Sequence, residues 1–393
     1  MRRLTKYAAI AAAFVAAMMG VTSSQAASPA ATAGLPPVRH VFVIVLENAS
    51  YSQSYGPASK YPYLRGILRP QGVLLSQYYA TSHYSLGNYL SILSGLAPNA
   101  DTQGDCPYYR EMAGAERAPL GQVRATKGCI FPSWVPTLAD QLSAKNLSWK
   151  GYMEDMGNNA GREEASCGKP SLGPYSSDLT QHAAPGDAYT ARHNPFLYFD
   201  SIMGTPACTA NVVPLTRLPS DLATTASTPN FSFISPSLCN DGHEQSCTGQ
   251  PAGPAAEDAW LRTWVGRITS SAAFKADGAL FIVNDEADGD SSSCCNEQPG
   301  PNLARPGTPP LAPQAPGFTD RFGDGKGGGR TGALAISPFI RGGSQSSIPY
   351  NHYSLLRSIE DLFGLPYLGY AGQSGLLAFG RDIWNRYRPA PTG

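Results

Sequence analysis

Charge is scarce in this chain. Asp, Glu, Lys and Arg make up only 15% of its 393 residues, and 29 basic side chains balance 29 acidic ones. That balance excludes the basic footprint by which proteins hold nucleic acid or an anionic membrane surface. Histidine is scarcer still, at six. No C-x-x-C pair occurs, which argues against a structural zinc cluster. No G-x-S-x-G occurs either, which argues against the nucleophile elbow of lipases and serine esterases. Beyond the N-terminus no apolar run approaches the ~20 residues needed to cross a bilayer, and there is no internal repeat.

The chain does carry an N-terminal export pattern. Arg2, Arg3 and Lys6 precede an Ala/Val/Met-rich run from Ala8 to Val21, and Ser24-Gln25-Ala26-Ala27 offers a small-residue cleavage site. Residues 1–27 are therefore expected to be a signal peptide, by a general or a twin-arginine route, and 28–37 a small-residue linker. Cysteine fits that compartment. Its count is even, at eight, which predicts three or four disulfides in an exported chain. Adjacent Cys294 and Cys295 are expected to staple two neighbouring loops rather than each other. A secreted protein without a transmembrane segment is the expectation.

Gly (41) and Pro (34) are abundant, while twenty Tyr and fourteen Phe can support a core. Long ordered loops on a compact scaffold follow. Buried strands are predicted at His40–Leu46 (HVFVIVL), Phe231–Ile234, Ala279–Val283 and Ala333–Ile336. Helical spacing marks Ser85–Leu96, Thr137–Lys145, Trp260–Ser270 and His352–Phe363. Strands alternating with helices predict an α/β sandwich around a mostly parallel sheet, with residues 38–389 as one catalytic domain. Residues 296–319, rich in Pro and Gly, read as a surface loop within it.

Polar residues stand directly behind three of these strands. HVFVIVL runs into Glu47-Asn48, FSFISPSLC into Asn240-Asp241-Gly242-His243, and ALFIVN into Asp285-Glu286. One acid at a strand end is an ordinary turn residue; three together point to a shared site for metal or phosphate, because ligands bind outside the carboxyl ends of such strands. In His83-Tyr84-Ser85-Leu86-Gly87-Asn88, Ser85 opens a helix, where backbone amides and the helix dipole favour an anion. Taken alone, Ser85 would read as an N-cap. Asn88, one turn on, can reach a phosphoryl oxygen, and His83 either assists Ser85 or packs beside it. His40 and His182 read as structural. Arg330 can grip phosphate or form a loop ion pair, and Trp149 and Tyr152 can line a leaving-group pocket or the core.

These segments resemble the bacterial phosphoesterase family of the alkaline phosphatase superfamily, which includes secreted acid phosphatases and non-specific phospholipases C. The likeness runs through VFVIVLENASYSQSYG (41–56), SHYSLGNYLSILSG (82–95), SWKGYMEDM (148–156), RHNPFLYF (192–199), FISPSLCNDGH (233–243), FIVNDE (281–286), GGGRTGALAISPFI (327–340) and NHYSLLRSIEDLFGL (351–365). It implies an alkaline phosphatase-like sandwich. It also implies Ser85 as nucleophile, Asn88 and His83 at the phosphate, and Glu47, Asn48, Asp285, Glu286 and Asp241 around a divalent metal. His193, His243 and His352 become candidates for protonating the leaving group. Three departures stand out: Gly87 where many relatives have Pro, Asp241 and His243 only two apart, and Asp-Glu rather than Asp-His as the late pair. They leave zinc, calcium, magnesium and manganese open, and a metal-independent mode as well. The implied activity is hydrolysis of phosphate esters, as a phosphomonoesterase; a phospholipase C, a phosphoinositide phosphatase and a non-catalytic surface-binding protein are the alternatives. A sulfatase is disfavoured, because no C/S-x-P-x-R precedes a helix.

Overall fold

The computed structural model describes residues 34–303 and 327–389. The expected signal segment 1–27, most of the linker and most of the 296–319 loop lie outside the described residues. Eight strands form the main sheet: β1 His40–Leu46, β2 Val73–Leu75, β3 Trp149–Met153, β4 Val212–Pro214, β5 Phe231–Ser235, β6 Gly278–Asn284, β7 Ala333–Ile336 and β8 Ser344–Ser346. Their spatial order is β8-β2-β7-β6-β1-β5-β3-β4. Every ladder is parallel except the two made by β7. The mostly parallel α/β fold read from the sequence is the fold observed.

β1 sits at the centre because it is apolar on both faces. Val41, Val43 and Val45 enter one core layer and Phe42, Ile44 and Leu46 the other, the alternation a strand imposes. The first layer is covered by α1 (Ser85–Ser94), α2 (Leu138–Ala144) and α4 (His352–Phe363), through Leu86, Leu90, Leu138, Leu142, Leu355 and Ile359. The second is covered by α3 (Gly253–Ser270), through Trp260, Leu261, Val265 and Ile268. α3 begins at Gly253 rather than Trp260, since its first turns, with Pro254 at the start, carry no apolar stripe.

All ten residues of α1 are buried, so its polar groups need internal partners. Ser91 and Ser94 donate their hydroxyls to the carbonyls four residues back. The helix stops at Gly95, whose φ of 70° places it in the left-handed region that ends helices.

The eight cysteines form four disulfides: Cys106–Cys129, Cys167–Cys208, Cys239–Cys247 and Cys294–Cys295. The last corrects the expectation that the adjacent pair would join separate loops. The other six cysteines are matched among themselves at Cα separations of 5.0–6.1 Å, within the reach of a disulfide, which leaves Cys294 and Cys295 only each other. Trp149 and Tyr152 are core residues of β3. Trp149 stacks on Phe196 with ring centroids 5.1 Å apart, and the Tyr152 hydroxyl donates to Asp221.

Two glycines test this packing in opposite directions. A Cβ on Gly328 would lie 2.2 Å from the carbonyl oxygen of Ser82, whereas one on Gly266, inside α3, would meet nothing within 4 Å. Gly328→Ala should therefore cost about 1–3 kcal/mol, and Gly266→Ala should gain about 0.5–1 kcal/mol from helix propensity. Denaturant melts of the two variants check both signs.

Candidate active site

Three neighbouring strands, β5, β1 and β6, end at one place. The Glu47 amide donates to the Asp241 carbonyl and the Asp285 amide to that of Leu46, both at 2.8 Å. Glu47, Asp241 and Asp285 are thereby brought together, buried at 1%, 0% and 0% exposure. Helix α1 supplies the groups that face them. Ser85 Oγ donates to Glu47 Oε2, and the Tyr89 hydroxyl donates to Glu47 Oε1, each at 2.8 Å. Ser85 and Tyr89 are one turn apart, so a single helix face grips both oxygens of one carboxylate. The residue before Ser85, Tyr84, has a φ of 67°, a left-handed conformation that a bulky residue adopts only when its surroundings enforce it.

His193 stacks on Tyr89, with ring centroids 4.9 Å apart and planes within 6°. Its Nε2 lies 3.2 Å from Glu47 Oε1 and its Nδ1 3.1 Å from Asp241 Oδ2. Neither approach has the alignment of a hydrogen bond. Both ring nitrogens, Asp241 Oδ2 and Asp285 Oδ2 are thus buried polar atoms without a hydrogen-bond partner. Ligand atoms of Glu47, His193 and Asp241 all lie within 4.8 Å of one another. A buried N/O donor set of this kind, with the His193 nitrogens and Asp241 Oδ2 unpaired, fits a divalent cation.

The electrostatics agree. Burial pushes the Glu47 carboxyl well up, and Asp285 and Asp241 push it further, against the Ser85 hydrogen bond and Arg192. Burial likewise raises Asp241, opposed by the His243 amide and Arg192. Asp285 is raised to about 8 by burial and then by Glu286, although the Asn48 and Glu286 amides hold it down. His193 is pushed well below the usual histidine range by burial and by Arg192. Each of these shifts favours the uncharged form of the group.

The remaining expected site residues fall into two groups. At the open side, Asn48 and His243 line a cleft of about 420 Å³ with Lys60, Tyr61, Gln245 and Asp288. His243 Nε2 lies 3.0 Å from Arg192 Nη2, so it accepts a hydrogen bond there. The others are engaged with neighbouring groups of the fold. Asn88 was expected at the phosphate, but its amide is spent on the loop before α1. Its Oδ1 accepts from the Thr81 and Ser82 amides, and its Nδ2 donates to the Ser82 and Tyr84 carbonyls. Glu286 was expected among the metal ligands, but its Oε2 takes His83 Nδ1 at 2.6 Å and the Tyr84 amide at 2.9 Å. His83 sits between Glu286 and Ser291. His352 is fully buried, with Nδ1 3.0 Å from the Tyr78 hydroxyl and Nε2 2.8 Å from the Asp285 carbonyl. Burial lowers it to about 4. Its geometry suits it to anchoring the Asp285 strand end rather than protonating a leaving group. Arg330 stacks on Tyr51, at 4.2 Å from the ring centre, beside a second hollow.

Sequence reasoning passed over Tyr89, Arg192 and Asp105. Tyr89 carried a legible signal, its i+4 spacing from Ser85. Arg192 adjoins His193 in the chain, yet only the fold turns it towards Glu47 and Asp241.

With fold and site in place, the family can be assigned. The Phosphoesterase family model matches residues 67–366, and the chain belongs to that family. It is 24% identical to an acid phosphatase of Aspergillus fumigatus over 84% of this chain and 55% of that protein. It is 23% identical to a phosphatidylinositol-3-phosphatase of Mycobacterium tuberculosis over 98% of this chain and 94% of that one. The chain spans about half the length of the fungal acid phosphatases it matches. A solved protein of the alkaline phosphatase superfamily from Vibrio parahaemolyticus aligns over 87% of this chain and 71% of its own, with a TM-score of 0.47 and 12% identity.

Because Asp285 and its neighbours must shed protons to become ligands, metal and proton should compete. Adding Zn²⁺ or Mn²⁺ to metal-free protein should release roughly one to two protons per ion. Apparent affinity should tighten as pH rises towards 8, where Asp285 ionises. Calorimetry in buffers of different ionisation enthalpy measures both quantities.

Proposed function

We propose that this chain is an exported phosphoric monoester hydrolase in which residues 38–389 act as one catalytic domain and Ser85 is the nucleophile. The observation that carries the reading is the 2.8 Å hydrogen bond from Ser85 Oγ to Glu47 Oε2 inside a buried cluster of acids. A hydroxyl already donating to a carboxylate has a place for its proton when it attacks.

A divalent cation bound by Glu47, Asp241 and His193, with Asp285 and Asn48 at its border, would supply charge neutralisation at the phosphoryl oxygens and lower the serine pKa. The chain's own groups do the rest. As Oγ bonds to phosphorus, its proton passes to Glu47 Oε2 and the bond to the leaving oxygen breaks. Of His193, His243 and His352, only His243 stands at the cleft wall; with Nε2 accepting from Arg192, its Nδ1–H can hydrogen-bond the leaving oxygen, which takes its proton from a cleft water. In the second half, the hydroxide so formed bonds to phosphorus through its oxygen, and Glu47 returns the first proton to Ser85 as the Oγ–phosphorus bond breaks. Tyr89 and the stacked His193 keep Glu47 aligned throughout. His352 and Glu286 hold Asp285 and the Tyr84 turn in register.

The substrate class is a monoester whose leaving group fits a polar cleft. Similarity along nearly the whole chain to a protein named as a phosphatidylinositol-3-phosphatase supports a phosphoinositide as one such substrate. Secretion rests on the N-terminal pattern and the four disulfides. Purified chain should hydrolyse p-nitrophenyl phosphate and leave p-nitrophenyl phosphorylcholine nearly untouched; the reverse preference would make it a phospholipase C. Ser85→Ala should lower turnover by about 10³-fold or more without lowering the melting temperature. Near-normal turnover in that folded variant would move the nucleophile to Thr81 or Ser82. His352→Phe, which strips the anchor from Asp285, should cost about 10–100-fold.

A further inference from the structure

The head of α1 is already filled. The Leu86 amide, next in chain to the nucleophile candidate, donates to Asp105 Oδ1 at 3.0 Å. The other oxygen, Oδ2, lies 3.8 Å from Arg192 Nε. Arg192 is deeply buried, its side chain 5% exposed, and this Nε has no hydrogen-bond partner. The rest of the guanidinium is fixed, with Nη1 donating to the Gln181 carbonyl and Nη2 to His243 Nε2. Nε is therefore within ion-pair range of the Asp105 carboxylate but beyond hydrogen-bond distance.

We propose that the Leu86 amide and the Arg192 guanidinium form an anion site for a phosphoryl oxygen of the substrate, and that Asp105 occupies this site at rest and vacates it when substrate binds. The assignment rests on the reading of Ser85 as nucleophile, because that places the phosphoryl group beside Leu86. Three further observations support it. Asp105 and Cys106 have φ angles of 61° and 47°, two successive non-glycine residues in the left-handed region, a strained shape of the kind found at functional turns. The Cys106–Cys129 disulfide anchors this segment. A carboxylate is also a poor permanent occupant here, with Glu286 nearby. Burial raises its proton affinity, Glu286 raises it further, and Arg192, the Leu86 amide and His243 oppose them. A phosphoryl group has more oxygens than a carboxylate and can satisfy the amide and Nε together.

Asp105 thus acts as a tethered competitor, and protonation weakens it. The folded-state shift is upward, so as pH falls the competing charge is lost at a higher pH than that of an ordinary aspartate. Anion binding should consequently strengthen in acid without any change in the anion.

Sulfate tests this in the metal-loaded enzyme, since its charge is constant over the range. Its inhibition constant against p-nitrophenyl phosphate and its thermal shift are both measured. In wild-type protein sulfate should bind about fivefold or more tightly at about pH 5 than at about pH 7.5. Asp105→Asn keeps an acceptor for Leu86 but loses the charge. It should bind sulfate about fivefold or more tightly than wild type at the higher pH and should flatten the pH dependence. Asp105→Ser should act in the same direction, which keeps the test open if one variant misfolds. Arg192→Lys should weaken sulfate about tenfold at both pH values. Wild-type-like sulfate binding in both Asp105 variants would overturn the proposal, as would an unaffected Arg192→Lys. Sulfate thermal shifts of Ser85→Ala separate this failure from that of the nucleophile assignment. An inactive Ser85→Ala beside unresponsive Asp105 variants rejects only the tethered competitor, and an active one beside responsive variants rejects only the nucleophile.

Discussion

Mutual repulsion among Glu47, Asp241 and Asp285 is the constraint to which the rest of the site answers. Parallel strands β5, β1 and β6 end side by side, and each leads into an acid that is deeply buried. Burial and like charge push all three towards the protonated form. Charged, such a cluster needs a counter-charge. The chain supplies Arg192, the Ser85 and Tyr89 hydroxyls, and the Asn48, Glu286 and His243 amides. Several lone pairs still remain unmatched, as do both nitrogens of His193. A cation would complete the balance, and in the proposed reaction the same imbalance would make the Ser85 proton easy to accept.

Around this centre the fold spends much of its polar material on holding positions. Asn88 locks the loop 81–84 by five hydrogen bonds, Glu286 fixes the Tyr84 turn, and His352 reaches from the start of α4 to the Asp285 carbonyl. These groups are deeply buried beside the acid cluster, and in the proposed reaction they would be its scaffold. Precision of this kind is what an attack on phosphorus requires, because misplacement of the nucleophile by an ångström is costly.

Much of the fold was legible in the chain. β1, β7 and α4 match their sequence-based bounds, because each carries a period that only one element type explains. The acids behind β1, β5 and β6 were legible for the same reason, since a buried strand announces where it stops. What could not be read is which lone pairs are already taken. Asn88 reads in sequence as a phosphate contact, Glu286 as a metal ligand and His352 as a proton donor, and each has hydrogen-bond partners fixed only by tertiary structure; His352 meets Asp285 across 67 residues. Asp105 and Arg192 had no local signal, as their meaning lies in facing each other. The Cys294–Cys295 bridge became evident only when the other six cysteines had found partners.

The central claim is that the hydroxyl hydrogen-bonded to Glu47 attacks phosphorus. The most direct test is to mix metal-loaded protein with a phosphate monoester, quench in acid within the first turnover, and map the peptides by mass spectrometry. A phosphate adduct on Ser85, absent when substrate is omitted, is the predicted result. A turnover burst that leaves Ser85 unmodified, or an adduct on another residue, would contradict the account.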